Sequence, residues 1–406
     1  MGKSIRSKGQ RKNRALRREM IHKPKEEERL NRLVENEVVE TKQQEQISVD
    51  TEKMETEPKI LSKKQKEMLL MSPDSCLNGP KITGCRNVDL YEKLNRIEEG
   101  SYGIVYRAKE KSTGRIFALK KLKLEKEKDG FPITSIREIH TLKLIKHPNV
   151  VEIIEICTTS NFNHIFIVME YLEHDLKTLM ENMAEPFLLS ETKTLMLQLL
   201  SAVDCLHNNW IIHRDLKTSN LLMNNRGQIK VADFGLARRF GSPMGEVTQL
   251  VVTLWYRSPE LLLGATTYST EIDLWSIGCI FAELIDNSPL LPGKGEIDQL
   301  SKIFQLLGTP NETSWPGYYD LPNTRTVNFA NQPNNNLTSK FAYLSPLGLD
   351  LLNKFLTYDP QKRITASEAM EHPFFKESPL PKPSELFPSF PSKASGERKR
   401  YHSPQI

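Results

Sequence analysis

HRDLKTSN, residues His213 to Asn220, decides the reading of this chain. It fits the pattern H-R-D-L-x-x-x-N at every specified position. Asp215 offers a carboxylate that can orient a hydroxyl group and accept its proton. Asn220, five residues on, can reach a metal ion, and Lys217 can contact a phosphoryl group in transit. The bland alternative is a solvated charged loop after a helix. Downstream, Asp233-Phe234-Gly235 begins 18 residues after Asp215 and brings a second carboxylate, suited to a metal bridging phosphates. Ser258-Pro259-Glu260 closes that segment, and Glu260 is expected to form a buried ion pair with Arg363.

Working outward toward the N-terminus, Phe117-Ala118-Leu119-Lys120 ends on a lysine that can reach the α- and β-phosphates of a nucleotide. Glu138 follows 18 residues later on a helix, placed to pair with Lys120. Upstream stands IEEGSYGIV: Ile97, Glu98, Glu99, Gly100, Ser101, Tyr102, Gly103, Ile104 and Val105. Its glycines would let a strand–turn–strand close over phosphates. Glu98 occupies the place of the first glycine of G-x-G-x-x-G, so alone the stretch reads more readily as a hairpin turn. Order and spacing carry more than any one motif, because these features follow the one sequence that assembles a phosphoryl-transfer site.

The chain has 406 residues with 56 Lys/Arg against 51 Asp/Glu, a net charge of +5. That is too small to mark a nucleic-acid binder by itself. Five scattered cysteines give no disulfide framework or zinc spacing. No apolar run approaches the roughly 18 residues of a membrane span. The basic start lacks an apolar signal region, and Arg6 stands where a myristoylation motif needs Ser or Thr. Membrane, secreted and collagen-like classes are therefore excluded.

Composition divides the chain. Residues 1–80 contain no aromatic residue; 1–25 carry a net charge of +9, and 26–57 hold eleven acids against four bases. Such a segment cannot bury enough apolar surface to fold alone and is expected to be a disordered charged tail. The cluster from Arg11 to Arg18 has two open readings, nuclear import or nucleic-acid contact on one side and a solvated tail on the other. From residue 91 the pattern predicts strands at Tyr91–Glu99, Ile104–Lys109, Arg115–Leu124, Val150–Cys157 and Ile165–Tyr171. Ile133, Ile136, Ile139, Leu142 and Ile145 predict a helix with one buried face. Ser190–Asn208 predicts a second, N-capped by Ser190. The expected fold is α+β and two-lobed: a small β-rich lobe with one helix (about 91–171), then a larger mainly helical lobe (about 175–375). Residues 376–406 read as a Pro-rich C-terminal tail.

Residues 85 to about 385 resemble a eukaryotic protein kinase of the cyclin-dependent group. The carriers are PITSIREIH, HRDLKTSNLL, DFGLAR and VVTLWYRSPELLLG. Within the group the chain is similar to the PITSLRE branch, through KEKDGFPITSIRE, NNWIIHRDLKTSNLL, PGKGEIDQ and FLTYDP, with the sister PISSLRE branch as runner-up. That branch has Glu at the place of Glu98. The resemblance implies that Ile97, Val105, Ala118, Met169 and Leu222 line an adenine pocket, with Met169 as gatekeeper. Glu170 and Leu172 would bond adenine through the backbone, and Asp175 would sit at the ribose edge. Ser101 and Tyr102 match an inhibitory phosphorylation pair and Thr248 an activating phosphothreonine, received by Arg137, Arg214 and Arg238. Asp273 would hold the catalytic loop by its backbone.

The expected function is ATP- and Mg²⁺-dependent phosphorylation of Ser or Thr, with Pro after the target. A cyclin partner, of the L type, is implied. Roles in transcription, pre-mRNA splicing and the cell cycle are implied too, in the nucleus and also the cytoplasm. The first 20 residues resemble a small basic nucleolar family instead. The rival reading is a pseudokinase or scaffold with a basic, RNA-associated tail; it requires loss of Lys120, Asp215, Asn220 or Asp233, and all four are present.

Overall fold

Six strands form the first sheet: β1 (Arg86–Asn87), β2 (Tyr91–Glu99), β3 (Gly103–Glu110), β4 (Ile116–Leu122), β5 (Ile153–Thr158) and β6 (Ile165–Glu170). Their spatial order is β1-β5-β6-β4-β3-β2, antiparallel except for the β1–β5 pair. The computed structural model describes residues 84–99, 103–122, 133–160, 164–241, 252–325 and 329–390. The charged segment 1–80 lies outside the described residues, as do Gly100, Ser101, Tyr102 and Thr248.

Side-chain alternation along β4 sorts its residues between two faces. Phe117 and Leu119 join Tyr91, Phe166 and Val168 in one apolar cluster. Ala118 and Lys120 fall on the other face, which lines a cleft. Helix α1 (Ile133–Leu144) covers that second face. The predicted apolar face of α1 holds at Leu142, and at Ile145 just past the helix, but not at Ile136. Ile136 is 50% exposed, Ile139 is half-buried, and the buried positions are Ser135, Glu138, Thr141 and Leu142. A helix turns every 3.6 residues, so a strict three-residue spacing drifts around it instead of marking one face.

After β6 the chain crosses to the larger lobe through β7 (His174–Asp175), α2 (Leu176–Asn182) and α3 (Leu189–Asn208). Ser190 is not the cap of α3. Leu188 holds that position, and the Glu191 side chain accepts its backbone N–H at 3.0 Å. Short strands β8 (Ile211–Ile212), β9 (Leu221–Met223), β10 (Ile229–Val231) and β11 (Arg238–Arg239) bracket the central loops. Helix α4 (Pro259–Leu262) precedes α5 (Glu271–Asp286), which is buried from Ile272 to Leu284 and forms the lobe's axis. Helices α6 (Glu296–Leu307), α7 (Leu337–Lys340), α8 (Pro346–Phe355) and α9 (Ala366–Met370) complete the lobe. Glu260 and Arg363 meet as expected, in a two-pronged pair at 2.7 and 3.0 Å inside the core. The Pro-rich stretch is no free tail in its first part. Residues 376–390 lie on the lobe, with Phe387 buried in its main core.

Candidate active site

The cleft between the lobes is a cavity of about 1310 Å³. Ile97, Val105, Ala118 and Met169 line it from the sheet, Glu170, Leu172 and Asp175 from the connection, and Leu222 from β9. Asp215, Lys217, Asn220, Asp233, Lys120 and Glu138 line its inner end. Gly103 starts β3 on the same cavity, and a Cβ there would lie 2.5 Å from the Lys121 carbonyl oxygen. Ile104 pairs with Lys121 within the sheet and does not line the cavity. Glu98 and Glu99 are strand backbone paired with Val105 and Ile104.

Two ionic clusters face each other here. On one side Lys120 Nζ lies 2.6 Å from Glu138 Oε1 and 3.4 Å from Asp233 Oδ1. Burial works against the Lys120 charge, but Glu138 and Asp233 outweigh it and hold the ammonium above the usual lysine range. Burial pushes the Glu138 carboxyl up, opposed by Lys120. At Asp233 burial also acts upward, but Lys120, then His213, override it and leave the carboxyl below the usual aspartate range. Asp233 sits at φ 60°, ψ 73°, a left-handed conformation rarely taken by non-glycine residues.

On the other side Asp215 collects donors. Lys217 Nζ donates to Oδ2 at 2.8 Å and Asn220 Nδ2 donates to the same oxygen at 3.1 Å. Thr253 donates to Oδ1 through its hydroxyl at 2.8 Å and its backbone N–H at 3.2 Å. Lys217 also donates to the Thr253 hydroxyl at 3.1 Å, which closes a triangle. Thr253 had no assigned role in the motif reading; its only signal was its place within VVTLWYR. Asn220 spends its NH₂ group on Asp215, so its amide oxygen is the end with metal-ligand chemistry.

The loop carrying Asp215 is pinned from below. Asp273 accepts the backbone N–H groups of His213 at 2.9 Å and Arg214 at 3.0 Å, and meets His207 Nε2 at 2.9 Å. Asp273 is wholly buried, yet His207 chiefly, with His213 and the Arg214 N–H, keeps its carboxyl below the usual range. A second brace was also missed: Glu283 on α5 accepts from Thr218 at 3.1 Å and from Tyr256 at 2.6 Å. The three arginines are less uniform than expected. Arg214 bonds the Leu236 carbonyl at 2.7 Å and Tyr268 at 2.9 Å, Arg238 is half-buried, and Arg137 is exposed.

Beside Thr253, Val252 has φ +67°, an outlier for a β-branched residue. Its carbonyl accepts two hydrogen bonds from Arg257, at 3.2 and 3.0 Å. Among the described residues no group of three or more His, Cys, Asp or Glu is arranged to hold a metal. The oxygen donors of Asn220 and Asp233 instead suit a hard cation that takes its other ligands from water and phosphate.

A two-lobed fold with a lysine–glutamate pair across the sheet and helix, facing a braced Asp-Lys-Asn loop, defines the protein kinases. A family model for the protein kinase domain matches residues 91–375, and the chain belongs to that family. It is 58% identical over 328 residues to cyclin-dependent kinase 11B of Mus musculus, covering 80% of this chain and 42% of that protein. It is 56% identical over 339 residues to cyclin-dependent kinase G-2 of Oryza sativa subsp. indica, covering 81% of this chain and 47% of that protein. Serine/threonine-protein kinase ppk23 of Schizosaccharomyces pombe is 54% identical over 323 residues, 79% of this chain and 81% of that protein. The chain thus spans less than half the length of the mouse and rice relatives.

Proposed function

We propose that this chain is a cyclin-dependent serine/threonine kinase that transfers the γ-phosphate of ATP to Ser or Thr followed by Pro. The observation that carries the reading is the pair of ionic clusters, Lys120–Glu138–Asp233 and Asp215–Lys217–Asn220, facing one cleft. In this reading Ile97, Val105, Ala118, Met169 and Leu222 enclose adenine, Glu170 and Leu172 bond its edge, and Asp175 meets the ribose. Gly103, at the start of β3, lies on the phosphate side of the cavity. Lys120 holds the α- and β-phosphates, steadied by Glu138. Asn220 and Asp233 would hold Mg²⁺, which when bound would neutralise phosphate charge. Asp215 orients the substrate hydroxyl and takes its proton, while Lys217 steadies the transferring group.

Val252 supports the selection for proline. Arg257 already occupies its carbonyl, so that oxygen is not available to the N–H of the residue after the target. Proline has no N–H and loses nothing there. Helix α1 offers the cyclin an apolar surface, with Ile136 and Leu144 both about half exposed. Phosphate on Thr248 would bridge Arg137, Arg214 and Arg238, and phosphate on Ser101 or Tyr102 would obstruct ATP. The PITSLRE likeness supports an L-type cyclin and nuclear work in transcription and splicing. The basic residues 1–25 support import or nucleic-acid contact.

The test is transfer of labelled phosphate from Mg-ATP to matched Ser-Pro and Ser-Ala peptides, with the purified chain alone and with an L-type cyclin. Transfer that needs the cyclin and favours Ser-Pro is expected. Equal rates on both peptides would remove the proline reading, and no transfer with any cyclin would remove the kinase reading.

A further inference from the structure

Residues 376–390 form a strap tied to the large lobe at several points. The Lys193 ammonium, wholly buried, donates to the Glu377 carbonyl at 2.9 Å. The Lys382 N–H donates to the Ser190 carbonyl at 3.0 Å, and its ammonium meets Glu191 at 2.8 Å. Phe387 then seats against the β9–β10 turn. Gly227 in that turn has φ +67°, and a Cβ there would lie 2.5 Å from the Phe387 ring and 2.7 Å from the Ser384 carbonyl oxygen. The turn therefore needs glycine twice, for its backbone and for the strap's close approach.

The strap brings Phe390 to the cleft. Its ring lies edge-on to His174 at 6.1 Å and to Phe187 at 6.3 Å, and it lines the same cavity as Asp175 and Lys120. His174 and Asp175 are all of strand β7. They pair with Met223 and Leu222, so this strand sets the ribose-edge carboxylate against the adenine floor. Asp175 also caps α2 by accepting the Thr178 N–H at 2.7 Å. His174 is buried and also meets Asn225 Oδ1 through Nε2 at 2.9 Å, so the Phe390 ring packed on it is one of the contacts that restrain β7 and the position of Asp175.

We propose that Phe390 is a positioning residue for the nucleotide: by packing on His174 and Phe187 it fixes β7, and with it Asp175 and Leu222, for ATP. This rests on the kinase reading of the cleft. It acts on ATP affinity and leaves the Asp215 end untouched, because none of its ring contacts reaches that loop.

The experiment compares the full chain, with its cyclin, as wild type, Phe390→Ala, Phe390→Tyr and Leu386→Ala. Mg-ATP binding is measured by calorimetry, and KM and kcat by peptide phosphorylation. Phe390→Ala is expected to raise the ATP Kd and KM about tenfold, the scale of one lost edge-to-face contact, with kcat and peptide KM within about twofold. Phe390→Tyr restores ATP affinity, because its ring makes the same contact. Leu386→Ala, an exposed strap position, leaves it unchanged. An ATP Kd within about twofold of wild type for a folded Phe390→Ala overturns the proposal, as does a fall in kcat at constant KM. Should Phe390→Ala fail to fold, Phe390→Leu serves in its place under the same criteria. Calorimetry reads binding without turnover, so a wild type that binds Mg-ATP but transfers nothing would sink the kinase reading while this one is still decided.

Discussion

Thr253→Val tests the geometry around Asp215 with the smallest change available. Valine keeps the β-branch and replaces only the hydroxyl by a methyl. That hydroxyl donates to Asp215 Oδ1 at 2.8 Å and accepts from Lys217 at 3.1 Å, so both its bonds involve charged groups. A hydrogen bond to a charged group contributes about 1.5–3 kcal/mol. The carboxylate keeps Lys217, Asn220 and the Thr253 N–H. One bond is therefore the right scale for the loss, not two. If the bond holds Asp215 in its reacting orientation, kcat should fall by about 10- to 150-fold. Thr253 does not line the nucleotide cavity, so the ATP KM should stay within about twofold. Steady-state phosphorylation of a Ser-Pro peptide by the cyclin-bound chain reads both constants, and thermal melting checks the fold. Thr253→Ser should recover most of the rate. A folded valine variant with wild-type kcat, or one whose defect lies in ATP KM, would show that the triangle does not position Asp215.

Asp215→Asn should keep nucleotide binding and lose about 10²- to 10⁴-fold in kcat; wild-type turnover in that variant would remove Asp215 from its role. Arg363→Met leaves Glu260 buried without its partner and the Thr357 and Glu271 carbonyls without their donor, and should cost about 3–5 kcal/mol in urea unfolding. A loss under about 1 kcal/mol would place that pair among contacts of surface strength. Asp273→Asn should destabilise the chain at neutral pH. The folded Asp273 carboxyl titrates below its usual range, so its contribution is complete above about pH 4, the unfolded value, and is lost as pH falls through the folded one. The gap between wild type and variant should therefore narrow in acid, and a gap unchanged down to the acid transition would contradict an ionised Asp273.

What could be read before folding is what chemistry pins to residue type and covalent spacing. Asp215 and Asn220 are five apart in a tight loop, so their meeting is local and the motif states it. Lys120 and Glu138 were legible because a charged side chain facing a sheet's inner side needs an opposite charge, and the next helix supplies one. The same physics explains the misread face of α1. Burial there is governed by the ion pair, so Ser135, Glu138 and Thr141 turn inward and Ile136 turns out, against any rule that places apolar residues inside. Thr253 was hidden for a different reason. Its partner lies 38 residues away, so no local spacing states the contact. The strap is the extreme case. Thr194 bonds the Lys382 carbonyl across 188 residues, and composition alone makes 376–406 a Pro-rich tail. Its two aromatic residues, Phe387 and Phe390, were the available signal, because a solvated tail is poor in aromatic residues. Contacts of that separation need the large lobe's partners already in place, so no local pattern in the strap could state them.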